Sequence, residues 1–184
     1  MIGIIPHATT DETGHFAIPH LQFGEYAVAA EKLDEDYPDM SKQFYSDGKF
    51  ETVFLSARHA DDDVKLRLGP KAGVLTGTVA DAVTGSALSP CVKLVRASEP
   101  NNFLSGSGLV KPNYRLLVPP NAGILVKMWL DGYKPWYFPG TVDKSKSTPV
   151  HLKPGEVVTL DIRLQPGENA EGACGMPFGT SIKH

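Results

Sequence analysis

The chain is poor in the features that mark whole classes of protein. Among its 184 residues no apolar run approaches the roughly 18 needed to span a bilayer, so no membrane-crossing helix is expected. Basic and acidic residues, 18 and 21, are interspersed and give a formal net charge of -3. Without a Lys/Arg stripe, a nucleic-acid partner would lack its usual electrostatic footprint, and none is expected. Residues 1–7, MIGIIPH, hold neither a basic segment nor a long apolar one, so they do not form a signal peptide. As written the chain would stay in the cytoplasm, an inference that holds only if Met1 is the natural start. Two cysteines, Cys91 and Cys174, are too few for a disulfide-dense scaffold or a zinc site. They could pair in an oxidising compartment, but two free thiols is the plainer expectation.

What is abundant is turn-making residues. Gly 18 and Pro 15 accompany an ordinary 41% of hydrophobic residues, and helix-friendly runs are scarce. That balance predicts an all-β fold of short strands joined by tight turns. Residues 72–85, AGVLTGTVADAVTG, alternate with period two and then turn through Asp81 and Gly85. Further strands are predicted at 90–96, 113–118 and 123–129, the last with Ile124, Val126 and Met128 on one face. The polar stretch 97–108 reads as a loop, and residues 157–164, VVTLDIRL, close the unit with strict alternation.

The first part of the chain repeats the second half of this layout. Residues 14–18 match the strand around Tyr114, residues 23–30 match 121–128, and 63–70 match 160–166. The second unit spends about forty residues before its Tyr114 strand and the first about fifteen before Phe16, a difference worth roughly two strands. Open edges would follow, to be filled by a longer reading frame or by another chain. The fragment is the favoured expectation.

The run Gly77-Thr78-Val79-Ala80-Asp81-Ala82-Val83-Thr84-Gly85 resembles the opening of a carboxypeptidase regulatory-like (transthyretin-like, prealbumin-like) domain. So does Thr10-Asp11-Glu12-Thr13-Gly14-His15-Phe16, followed by Leu21-Gln22-Phe23-Gly24-Glu25-Tyr26-Ala27-Val28. Departures are the missing opening motif in the first unit and Tyr114-Arg115-Leu116 where the family has Gly-x-Phe. The resemblance implies two tandem Greek-key β-sandwich domains: an incomplete one over 1–70, a complete one over 71–167, and a tail over 168–184. It also implies a spacer or binding module in the extracellular space or cell envelope of a bacterium. Two enzyme families on related sandwiches do not fit the residues. The C-terminus GTSIKH lacks the Tyr-Arg-Gly-Ser ending of chains resembling hydroxyisourate hydrolase, and the second unit has His151 alone where an intradiol dioxygenase needs two histidines.

Several constellations could carry chemistry. His7, His15 and His20 are close in sequence, but His15 should point outward opposite Phe16, and no metal is expected. The acidic runs Asp34-Glu35-Asp36, with nearby Asp39, and Asp61-Asp62-Asp63 lack the spacing of an EF-hand and read as charged turns. Ser105-Gly106-Ser107-Gly108 is not a nucleophile elbow and reads as a surface loop. No catalytic residue and no cofactor is expected. The most suggestive surface feature is the run Trp136, Tyr137, Phe138: neighbours on a strand point to opposite sides, so at least one should be exposed or lie at an inter-domain seam, the plainer alternative being that they cap an open end of the sandwich or pack on the other unit. These three are the predicted ligand-binding residues, for a polysaccharide or a protein partner. Rival expectations are a small hydrolase using His15, His20 and loop carboxylates, and a structural subunit that accepts a strand. A homodimer through open edges of the first unit would express the latter.

Overall fold

A computed structural model describes residues 5–45, 50–100 and 107–169. Within them the protein is all-β, its only helical elements two short 3-10 turns at Leu33–Glu35 and Lys144–Lys146. None of the described helices is long and apolar enough to cross a membrane. The chain divides into two compact units, 1–28 with 50–66, and 29–49 with 67–184. The division interleaves them: residues 29–49 group with the second unit, whereas the sequence motifs place all of 1–70 in the first.

In the second unit, strand β3 (Gly73–Asp81) pairs antiparallel with β6 (Asn113–Val118). Its other edge pairs parallel with two short strands, β9 (Val157–Thr159) and β10 (Ile162–Leu164). The second sheet has the order β5 (Ser107–Leu109), β4 (Cys91–Arg96), β7 (Ile124–Trp129), β8 (Trp136–Tyr137). Alternation puts Val92 and Leu94 of β4, and Ile124, Val126 and Met128 of β7, on the core face. Leu75 and Val79 of β3 with Ile162 and Leu164 of β10 supply the other side of the same core. Two four-stranded sheets sharing one apolar core are consistent with a β-sandwich. Phe44 joins this core, Arg96 Nε donates to its carbonyl at 2.9 Å, and Tyr45 Oη donates to the Leu117 carbonyl at 3.2 Å. Those contacts explain why 29–45 group with the second unit.

The predicted closing strand over 157–164 is broken at Leu160 and Asp161, although its register on β3 continues unchanged across the gap. At the break the Asp161 carboxylate accepts from the Thr78 amide at 2.9 Å and the Thr78 hydroxyl at 2.7 Å, replacing the missing ladder bonds. Tyr114 Oη donates to the Leu160 carbonyl at 2.5 Å, so even the interrupted backbone is satisfied.

The first unit departs further from expectation. It holds β1 (Gly24–Val28) and β2 (Glu51–Leu55), paired antiparallel, while 14–18 and 63–68 form no strand. A strand exists only where a neighbour takes its backbone groups, and among the described residues the segments around Phe16 and Leu66 have none to pair with. Val64 and Leu66 keep the expected alternation of burial without a ladder.

Cys91, buried on β4, is disulfide-bonded, which corrects the expectation of two free thiols. Cys174 lies outside the described residues, as do His184 and residues 101–106 of the predicted loop.

Candidate interaction surface

The polar side chains of this chain are largely used to make turns. Asp11 Oδ1 accepts from the Thr13 amide and hydroxyl, and Asp39 Oδ1 does the same for Ser41. Asp143 repeats the geometry with Ser145. Asp81 Oδ1 accepts from the amides of Val83 at 2.6 Å and Thr84 at 2.8 Å. In each, an Asp side chain imitates a backbone acceptor and closes a turn, which an Asp-x-Ser/Thr spacing encodes at Asp11, Asp39 and Asp143 and an Asp-x-x-Thr spacing at Asp81. Gly85 then takes φ 75, a conformation open to glycine at little cost.

Asp81 is the most enclosed of these carboxylates, with 6% of its surface exposed. Its other oxygen accepts from Tyr133 Oη at 2.7 Å, which ties the turn after β3 to the loop after β7. The Thr84 amide, then Tyr133 and the Val83 amide, hold its carboxyl below the usual range. Asp11, Asp143 and Asp161 are lowered too, chiefly by the hydroxyls of Thr13, Ser145 and Thr78. Burial, followed by the charge of Asp161, pushes the Tyr114 phenol up, which suits a hydroxyl that only donates.

The sign of the pH dependence follows. A carboxyl whose folded pKa lies below its unfolded value stabilises fully above the unfolded value of about 4, and loses that contribution as pH falls through the folded one. Melting temperature should therefore hold steady near neutrality and fall increasingly below about pH 4. Asp81→Asn should lower it near neutrality and flatten the acid slope. A slope unchanged by that substitution would show that Asp81 is not a main acid-sensitive anchor.

The candidate chemical residues are scattered. All five described histidines are exposed; His15 points outward as its alternation predicts, with Nδ1 2.8 Å from Thr13 Oγ1, and Phe16 opposite it is half-buried. Glu35 pairs with Lys32 at 2.7 Å and Asp36 with Arg115, while Asp61, Asp62 and Asp63 are exposed. Among the described residues, no three His, Cys, Asp or Glu side chains are grouped to hold a metal ion.

The predicted ligand-binding run is placed inside. Trp136 is 7% exposed and Tyr137 6%, while Phe138 is half-buried against the core. Trp136 lies opposite Met128 on the core face of the second sheet, and Tyr137 lies opposite Lys127 on its other face. The alternation argument holds, but it does not follow that one side of the sheet is open, because Tyr137 is covered too. Neither ring offers a face for stacking on a sugar.

Exposed aromatic surface lies instead on the first unit. Tyr26, Val28 and Val53 are half-buried and Leu55 buried on one face of the β1–β2 ribbon. On the other face Glu25, Ala27, Thr52 and Phe54 are all exposed, Phe54 at 62%. Phe23 at 63% and Phe50 at 52% flank the strands. Phe23 escapes notice in the sequence because phenylalanine within a family-like motif is ordinarily core, and Phe50 and Phe54 because they lie outside every motif. The available signal was the shortage of strands in this unit, which leaves one face with nothing to pack on.

No family model matches the chain, and no curated protein does. Among solved structures, a presumed carbohydrate-binding protein from Bacteroides uniformis is similar at 15% identity with a TM-score of 0.36. The match covers 53% of this chain and 43% of that one. A likeness that distant fixes neither fold nor ligand.

Proposed function

We propose that the chain is a non-catalytic accessory module of an extracellular or cell-envelope protein, acting through a binding surface or as a spacer. In this reading it carries two tandem Greek-key domains of the carboxypeptidase regulatory-like kind, the first incomplete. The observation that carries it is the use of Asp11, Asp39, Asp81, Asp143 and Asp161 as turn and strand anchors. Asp11, Asp81, Asp143 and Asp161, held below the usual carboxylate range by structural hydrogen bonds, stabilise a scaffold, whereas catalytic groups need to be shifted toward their working pH within a cleft. The turn motif after β3, shared with that family, supports the fold assignment. The disulfide at Cys91 supports an oxidising compartment, where such bonds persist.

The test is a paired screen of the full chain: ester and lactone hydrolysis, and retention on insoluble and immobilised polysaccharides with and without calcium. No turnover above a heat-denatured control is expected. Turnover abolished by His15→Ala or His20→Ala would overturn the proposal in favour of a hydrolase. Glycan retention lost in Phe23→Ala with Phe54→Ala would make the module a polysaccharide binder through the ribbon, and absence of retention would leave a protein partner or a spacer role. A strand-accepting structural role is a second reading, favoured by the two-stranded sheet of the first unit.

A further inference from the structure

We propose that the β1–β2 ribbon is a self-association surface, in which β2 pairs antiparallel with β2 of a second copy of this chain about a two-fold axis at Val53. The inference rests on the strand-accepting reading and names its occupant. Each strand of the ribbon has one neighbour among the described residues, so the outer edge of each presents unpaired amides and carbonyls. Two strands alone make a marginal sheet, and three or more are the usual minimum. Edge strands that avoid pairing carry Lys, Pro or a bulge, yet residues 50–55, FETVFL, hold one charge, Glu51, and are rich in residues that favour strands.

The occupant follows from the register. Antiparallel pairing about Val53 sets Glu51 opposite Leu55 of the second copy and Thr52 opposite Phe54, so no like charges face each other. On the exposed face Phe54 then lies diagonal to both Phe50 and Phe54 of the second copy, within reach of aromatic side chains. Phe50 and Phe54 of each copy, more than half exposed in the single chain, would cover one another in the pair. The resulting four-stranded sheet equals in size those of the second unit. A two-fold interface of this kind is closed and does not propagate into fibres.

The test is analytical ultracentrifugation of the full chain across a wide range of concentration, with two double variants. Wild type should sediment with twice the chain mass at high concentration. Thr52→Lys with Phe54→Lys sets ammonium groups opposite each other across the axis and should give a monomer. Thr52→Glu with Phe54→Lys sets opposite charges across the same axis, keeps a lysine opposite Glu25 of β1 as in the first variant, and should restore the dimer. Both pairs of substitutions fall on exposed positions, and unchanged near-ultraviolet circular dichroism checks that the fold is kept. A wild type that is monomeric at every concentration, or a doubly lysine-substituted chain that still dimerises, overturns the proposal. Dimers lost equally in both variants also overturn it, since register-specific pairing requires the rescue.

Discussion

Trp136→Ala is expected to lower the free energy of unfolding by about 3–5 kcal/mol, the range for truncating a buried large aromatic side chain. The indole sits opposite Met128 on the core face of the second sheet, on a strand of two residues. Removing it opens a cavity between β7 and β8 that so short a strand has little means to close. Chemical denaturation of wild type and variant, read by circular dichroism, gives the difference directly. A change below about 1 kcal/mol would mean that the ring is dispensable to the core. It would then be free to serve as the binding residue that its sequence context advertises.

Gly77→Ala should be nearly as costly. At φ 150 this residue has a backbone conformation that L side chains rarely adopt, and a Cβ there would collide with the carbonyl of Leu160. Disfavoured backbone geometry and forced overpacking each cost about 1–3 kcal/mol, so a loss of roughly 2–4 kcal/mol is expected from the two together. The break between β9 and β10 lies beside this glycine, where the Leu160 backbone passes close to β3. Thermal melting of the variant checks the point. A melting temperature within error of wild type would show that Leu160 moves aside freely and that the close approach is not a constraint.

The strands of the second unit were legible because their period-two alternation coincides with a face that is buried. Residues 124–129 show it most plainly: Ile124, Val126 and Met128 are buried, and their neighbours half-exposed. The same alternation misled at 14–18 and 63–68, where side-chain pattern is present but no neighbouring strand takes up the backbone. Pattern reports which face is apolar and carries no information on whether a ladder partner exists. Strand β2 went unread because residues 46–56 resemble nothing in the second unit. The aromatic run at 136–138 was found but assigned to the wrong environment, since period two places residues on faces without saying which faces are covered. The Asp-x-Ser/Thr turns were present in the sequence at Asp11, Asp39 and Asp143, and Asp81 with Thr84 is a one-residue variant of them. Their recurrence could have told beforehand that these carboxylates belong to the scaffold.

The second unit holds two four-stranded sheets around one apolar core, and in the proposal a second copy completes the two-stranded ribbon of the first. Amide hydrogen exchange, followed by mass spectrometry at low and high protein concentration, measures both halves at once. Peptides spanning β3 and β7 should be strongly protected and indifferent to concentration, whereas peptides spanning β2 should exchange fast when dilute and slowly when concentrated. Protection of β2 that is the same at every concentration would contradict the account, whether high, from cover within the chain, or low, from an edge that no copy ever occupies.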